Sequence, residues 1–299
     1  DKVDIEKVDS SDSVKNTMVD SELDSYITKD GSKIEVTYAN EDPSKTDATK
    51  QLLASALQKN KMQDMMKIVE KIPDNMQQGN KQSSENLELD NHYLYGNSDS
   101  TYFDKMFPIL IGFFVFLFVF LISGIGLLRE RTSGTLERLL ATSIKRSDIV
   151  FGYLAGYGLF AILQTLLIVF YAIIILNIEL AGSIWWVLLV NILIALAALS
   201  MGIFVSTFAN SEFQMIQFIP IVAIPQIFFS GIIPLENIAN WVSFIGYLFP
   251  LRYAGDALTH IMIKGQGLEY IWFDICILFV FIIVFTILNI IGLKRYRKV

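Results

Sequence analysis

The chain has 299 residues, 53% of them hydrophobic, and a formal net charge of −6 at pH 7. Residues 1–106 hold 21 Asp and Glu against 13 Lys and no Arg, so the acidic balance belongs to this part of the chain, and we expect no nucleic-acid partner. A single cysteine, Cys276, excludes an intrachain disulfide framework and a zinc site of the CxxC type.

The sequence pattern of residues 1–106 predicts a soluble domain that contains both a strand and a helix. Residues 33–38 alternate apolar and polar side chains, which is typical of a half-buried strand. Residues 47–72 carry apolar side chains at helical spacing and end before Pro73, which cannot continue a helix. The chain starts in polar sequence without Met or a signal peptide, so we expect a fragment whose targeting helix lies upstream.

Five apolar segments of membrane-spanning length occupy residues 107–299. They are 107–128, 149–176, 184–208, 213–233 and 270–293. A helix of such length, at about 1.5 Å per residue, crosses a hydrocarbon core of about 30 Å. The predicted fold class is therefore an all-α polytopic membrane bundle with five transmembrane helices, preceded by a mixed α/β extracellular domain. A sixth helix is expected upstream.

The first two spans enclose a charged stretch, residues 129–148, with five basic and three acidic side chains. Leu136, Leu139 and Leu140 share one face of a helix, which predicts a short amphipathic helix at about 130–145, in water beside the membrane. Apolar anchors ringed by charge are suited to contact another protein. The alternative is a solvated loop whose basic residues only set the topology.

The stretch 234–267, between the last two spans, is too broken by Pro and Gly to cross the membrane. Its apolar pieces are about a dozen residues long, a length typical of re-entrant or interfacial elements. We predict an outer re-entrant hairpin that dips into the bilayer. The alternative is an ordinary extracellular loop.

The distribution of Lys and Arg predicts the orientation. Nine of them flank the spans on the face that carries residues 129–148 and the chain end, against two, Arg252 and Lys264, on the other face. Because basic residues accumulate in cytoplasmic loops, we expect the C-terminus to be cytoplasmic and residues 1–106 to lie outside the cell. The expected location is a bacterial cell membrane.

Catalytic chemistry is absent from the sequence. It contains no GxxxxGK[ST] phosphate loop and no HExxH or GxSxG motif, and its two histidines lie far apart. We therefore expect no catalytic residue, no metal site and no enzyme activity in this chain. The first four spans contain no charged or histidine residue and the last contains only Asp274, so energy for uphill transport would have to come from a partner.

Two segments carry a family resemblance that covers roughly residues 107–299. The charged stretch resembles the Glu-x-x-x-Gly-Thr-Leu-Glu-x-Leu segment of the ABC-2 type permeases, the membrane subunits of one class of ATP-driven transporter. Its matching residues, with the leucine that follows, are Glu130, Gly134, Thr135, Leu136, Glu137, Leu139 and Leu140. The later stretch is similar to the outer re-entrant region of that family through Gly231, Pro234, Pro250, Tyr253 and Asp256. The family often has Pro after the Thr of the coupling region, where this chain has Thr142, Ser143 and Ile144, so the end of the helix stays open.

The resemblance implies a permease subunit that pairs with a second permease subunit, usually with six helices each. In one subgroup a large outer domain lies between helices one and two. It also implies that the charged stretch is a coupling helix, which docks on a nucleotide-binding subunit that holds ATP and Mg²⁺, so this chain would need no cofactor. The expected function is ATP-driven export of an amphiphilic lipid, peptide or drug within membrane lipids. The alternatives are a membrane-anchored receptor or adhesion protein acting through its outer domain, and a membrane enzyme acting on lipids.

Overall fold

The structure, a computed structural model, describes residues 14–21, 23–30, 33–70, 88–98, 100–233 and 244–293. The chain forms two compact units, Asp1–Tyr102 and Phe103–Val299. Of the features predicted from sequence, Pro234 and the first part of the 234–267 hairpin lie outside the described residues, as do the basic residues after Leu293.

The first unit contains a three-stranded sheet and one long helix. Its elements in chain order are α1 (Val14–Asp20), β1 (Ser25–Asp30), β2 (Lys33–Tyr38), α2 (Pro43–Glu70) and β3 (Glu88–Tyr93). Strands β1 and β2 pair antiparallel, and β3 pairs parallel to β2 on its other side. The strand predicted at 33–38 is confirmed.

Helix α2 begins at Pro43, before the predicted start at residue 47. Asp42 precedes it, and its carboxylate accepts a hydrogen bond from the Ser44 N–H at 3.0 Å. A side-chain cap followed by proline in the first turn starts a helix even where the apolar pattern has not begun. The helix covers one face of the sheet, where the core consists of Ile34, Val36, Tyr38, Leu53, Leu57 and Tyr93.

The second unit is a helical bundle. Among its described residues, five helices are long and apolar enough to cross a membrane. These are α3 (Tyr102–Thr132), α5 (Arg146–Phe170), α6 (Ile184–Ser206), α7 (Glu212–Ile227) and α9 (Leu268–Gly292). Two shorter helices are α4 (Thr135–Leu140) and α8 (Pro250–Met262), and the π-helical segments Tyr171–Ile175 and Phe228–Ile232 continue α5 and α7. The five predicted spans and the polytopic helical class are confirmed.

Helix α6 forms the centre of the bundle. In an apolar stretch of 18 residues within this helix, 78% of the residues are buried, against 17% to 50% in the corresponding stretches of the other spans. It packs against α5 and α9, and α3 crosses it where two glycines meet. A Cβ atom at Gly202 would lie 2.6 Å from the Phe120 carbonyl oxygen and 3.3 Å from the Gly124 nitrogen. Only glycine allows the two backbones to approach this closely.

Helix α8 belongs to the stretch predicted as a re-entrant hairpin. With 13 residues it is too short to span a membrane. Its buried face packs against α6, α9 and the π-helical segment after α7. The Ala181 N–H, in the α5–α6 connection, donates to the Met262 carbonyl oxygen at 3.0 Å. Helix α8 therefore lies at the end of the bundle opposite α4, and we call these the α8 end and the α4 end.

Candidate functional site

Gly134 redirects the chain between α3 and α4. Its φ is 77°, a left-handed conformation that glycine adopts without strain, and the Gly134 N–H donates to the Arg131 carbonyl oxygen at 3.2 Å. A Cβ at this position would meet nothing within 4 Å. The glycine is therefore required by its backbone conformation and not by lack of space. Thr135 then begins α4.

The leucines of α4 pack against their own chain. Leu136 is 1% exposed and Leu140 is 7% exposed, in a cluster with Ile149, Val150 and Leu293. Leu139 packs partly against the same cluster. This apolar face was predicted to contact a partner protein, and the structure instead covers it with α5 and the residue that follows α9. An amphipathic pattern shows that a face must be covered, but not by which element.

The helix itself is shorter than the predicted 130–145. Only Thr135–Leu140 form α4, while Glu130 lies in the last turn of α3. After α4 the Thr142 N–H and hydroxyl both donate to the Leu139 carbonyl oxygen, at 3.1 and 2.6 Å, and the helix ends at Leu140 without the proline that the family often has there. Side chains from α4 and the following residues remain exposed at this end of the bundle. We call them the α4 surface: Thr135, Glu137, Arg138, Ala141, Thr142, Ser143, Ile144 and Lys145.

Glu130, predicted as a docking residue, contacts the bundle. The Tyr153 hydroxyl of α5 donates a hydrogen bond to the Glu130 Oε2 atom, and the pair is part-buried. Tyr153 also stacks on Tyr157, with ring centroids 6.2 Å apart. Glu130 thus joins α3 to α5. Tyr153 was not predicted as a site residue, because the sequence around a tyrosine in an apolar span does not indicate its hydrogen-bond partner.

Two arginines beside Glu130 join α3 to α6 and α7. The Arg129 Nε and Nη2 atoms donate to the two carboxylate oxygens of Glu212, at 2.7 and 3.2 Å. Arg131 Nη1 donates to the Ser206 and Thr207 carbonyl oxygens at 3.0 and 3.3 Å, and its Nη2 donates to that of Ala209. From the sequence, both arginines were interpreted only as indicators of membrane topology. Three consecutive charged residues directly after a span, Arg129 to Arg131, are the sequence feature that could have indicated contacts to neighbouring helices.

At the α8 end the structure brings Gly231 and Asp256 close together. Gly231 has φ 95° within the π-helical segment, and a Cβ there would lie 3.8 Å from the Asp256 Oδ1 atom. Pro250 is the first residue of α8, and the Tyr253 hydroxyl donates to the Tyr247 carbonyl oxygen at 3.1 Å. Four of the five predicted residues of this region therefore lie in or beside one helix junction, and the fifth, Pro234, is outside the described residues.

A side chain from α7 caps the start of α8. The Gln226 Oε1 atom accepts a hydrogen bond from the Leu251 N–H at 3.0 Å, and both residues are buried. Gly255 packs so closely on the π-helical segment that a Cβ there would lie 2.5 Å from the Ser230 carbonyl oxygen. Neither Gln226 nor Gly255 was predicted as a site residue.

Comparison with known proteins decides the family. The family model described as "ABC-2 family transporter protein" matches residues 1–291. The chain belongs to the ABC-2 family of transporter proteins.

Curated relatives of this ABC-2 chain carry transporter names. It is 28% identical over 69% of its length to "ABC transporter G family member 20" of Dictyostelium discoideum. It is 25% identical over 55% of its length to "Probable multidrug ABC transporter permease YbhR" and 28% identical over 59% to "Inner membrane transport permease YhhJ", both of Escherichia coli (strain K12). The matches span 28% to 47% of the relatives' own lengths, so the chain corresponds to less than half of each.

Membership of the ABC-2 family of transporter proteins favours transport over the receptor and lipid-enzyme alternatives. Within the described residues, no group of three or more His, Cys, Asp or Glu side chains could hold a metal ion. The site residues that remain for function are the exposed α4 surface and the helix junction at the α8 end.

Proposed function

We propose that this ABC-2 chain is the permease subunit of an exporter, energised by ATP and Mg²⁺ bound to a separate nucleotide-binding subunit. The sequence contains no phosphate loop of its own. The observation that carries the proposal is the α4 surface: a helix held by buried Leu136 and Leu140 that presents Glu137 and Arg138 to solvent.

The ATPase subunit docks on the α4 surface in this proposal. Because α4 rests on α5 and on Leu293 just after α9, a force applied to its exposed face acts directly on two spans. Ile144 is 46% exposed among polar neighbours and supplies an apolar anchor beside the charges of Arg138 and Lys145. An apolar anchor surrounded by polar groups is the usual composition of a small, specific interface.

The proposed orientation places the α4 end in the cytoplasm and the first unit outside a bacterial cell. It is supported by the excess of Lys and Arg on the α4 side, where the chain also ends. On this orientation α8 and Asp256 lie near the outer surface, within a re-entrant element. The first unit then corresponds to the outer domain that a subgroup of the family inserts after its first helix.

A second permease subunit and lipids cover the outside of the bundle in this proposal. The spans expose large apolar side chains on α5, α7 and α9, including Leu167 at 69%, Ile224 at 63% and Ile283 at 55%. Such surface is stable only against lipid or another apolar helix. Because the first four predicted spans carry no charged residue, we infer an amphiphilic substrate, and "multidrug" in a relative's name is consistent with this class.

Charge reversal on the α4 surface tests the proposal. The Glu137→Lys and Arg138→Glu variants should fold normally, because both side chains are exposed. They should lose binding of the ATPase subunit, since removing one member of a desolvated charge pair costs about 2–5 kcal/mol. Co-purification of the ATPase subunit with the full-length permease, and permease-stimulated ATP hydrolysis, measure the loss.

The matched control is Glu269→Lys, an exposed charge reversal at the α8 end. It should leave ATPase binding and stimulation unchanged. Normal ATPase binding and stimulation in both α4-surface variants would show that α4 is not the coupling element.

A further inference from the structure

Three consecutive residues at the end of α3 contact three different helices. Glu130 accepts from Tyr153 of α5, Arg129 pairs with Glu212 at the start of α7, and Arg131 binds the carbonyl oxygens at the end of α6. Successive side chains on a helix point about 100° apart, so one turn can reach in three directions. Residues 129–131, which we call the base of the α4 loop, are therefore tied to the turn between α6 and α7.

The Arg131 side chain binds three backbone carbonyl groups at the end of α6. Its guanidinium donates to the Ser206 carbonyl oxygen, which also accepts from the Ala209 N–H at 3.2 Å, and to the carbonyl oxygens of Thr207 and Ala209 just after the helix. Because one guanidinium holds three carbonyl groups, the turn after α6 has a fixed position relative to α3.

The Arg129–Glu212 pair fixes the next helix. Its two hydrogen bonds, at 2.7 and 3.2 Å, form a bidentate pair whose geometry restricts rotation as well as distance. Both side chains are largely exposed, at 67% and 47%, and an exposed pair adds little to folding stability. The pair instead holds α7 in position, and α7 is the span that contains Pro220 and Pro225.

We propose that Arg129 and Arg131 are positioning residues that make the base of the α4 loop and the α6–α7 turn move as one body. This inference rests on the proposed function, in which the ATPase subunit displaces α4. Displacement then reaches α5 and Leu293 through Leu136 and Leu140, and α6 and α7 through the two arginines. The prolines of α7 leave backbone carbonyl groups without donors, which lets that helix bend in response.

Distance measurement tests whether the two segments form one body. Nitroxide labels are placed at two exposed positions, Ser133→Cys and Asn210→Cys, in a Cys276→Ser background of the full-length protein in nanodiscs with its ATPase subunit. We expect a narrow distance distribution that is the same without nucleotide and with ATP and vanadate. The Arg129→Gln, Arg131→Gln double variant should broaden it. A distance that changes with nucleotide in the parent protein, or an unbroadened distribution in the double variant, overturns the proposal.

A charge exchange separates positioning from simple loss of charge. Arg129→Glu and Glu212→Arg should each abolish permease-stimulated ATP hydrolysis, and the double exchange should restore it. Failure of the exchange to restore stimulation, or normal stimulation in both single variants, contradicts the role of this pair.

The Glu137→Lys variant, measured in the same preparation, distinguishes the two failures. If Glu137→Lys abolishes stimulation while the Arg129 and Glu212 variants do not, only the positioning role is wrong. If Glu137→Lys has no effect, the coupling function of α4 itself is wrong.

Discussion

The α4 end and the α8 end of the bundle are held together by different kinds of contact. At the α4 end, charged side chains join the helices, as Arg129, Glu130 and Arg131 show. At the α8 end, helices meet through backbone groups, with Gln226 bonded to the Leu251 N–H and Gly255 against the Ser230 carbonyl.

The difference determines what the loss of a contact should change at each end. An exposed ion pair such as Arg129–Glu212 adds little to folding stability, so its loss should alter the position of α7 more than the free energy of unfolding. The Leu251 N–H lies among buried apolar residues, where an unpaired donor is costly. Disruption at the α8 end should therefore lower stability, whereas the exposed contacts at the α4 end should chiefly affect coupling.

The largest expected effect on stability is an exception to that contrast, at the buried face of α4. Leu136→Ala should destabilise the second unit by about 2–5 kcal/mol, because it leaves a cavity beside Ile149 and Val150. Ile144→Ala, at a 46% exposed position, should stay within about 0.5 kcal/mol. Thermal unfolding in detergent compares the two. An equal change in both variants would mean that Leu136 is not buried against its own chain.

A smaller effect should follow from loss of the cap on α8. Gln226→Leu removes the acceptor of the buried Leu251 N–H and should destabilise the protein by about 1–3 kcal/mol. Gln217→Leu on the same helix, at an exposed position, is the control and should have little effect. The midpoint of thermal unfolding measures both. Identical midpoints would show that the backbone contact is not what secures the α8 end.

The smallest expected effect concerns the turn into α4. Gly134→Ala should cost about 1–2 kcal/mol, because alanine is strained at φ 77° although the site has room for its methyl group. Gly156→Ala, inside α5 and also with open space around it, should be neutral or stabilising by up to about 1 kcal/mol. A stability no lower in Gly134→Ala than in Gly156→Ala would remove the backbone argument for this glycine.

Prediction from sequence succeeded for elements that depend on local composition. The five spans were found because each is a continuous apolar stretch, and the strand at 33–38 was found because its side chains alternate. The limits of α3 and α2 were less well predicted. Helix α3 continues to Thr132 through charged residues because Arg and Glu are good helix formers, whether lipid or water surrounds them.

The candidate site was predicted as a segment, but the roles of several residues within it were not. The leucine stripe of α4 was correct as an amphipathic face, and its cover turned out to be α5 and Leu293. Glu130 proved to be a contact to Tyr153, and the partners of Arg129 and Arg131 were not predicted at all. These contacts join residues separated by 23 to 83 positions, and the local pattern around either partner contains no information about the other.

The sequence by itself determined that this protein is a membrane bundle with a charged loop on one side and a broken helical stretch on the other. Partition of apolar side chains out of water depends on composition and length, which are properties of each segment alone. Only the tertiary structure decided which face of α4 is covered, which helices the Arg-Glu-Arg triplet joins, and how closely α3 and α6 approach at Gly124 and Gly202. Those outcomes depend on the shapes and directions of several helices packed together, and no single segment specifies them.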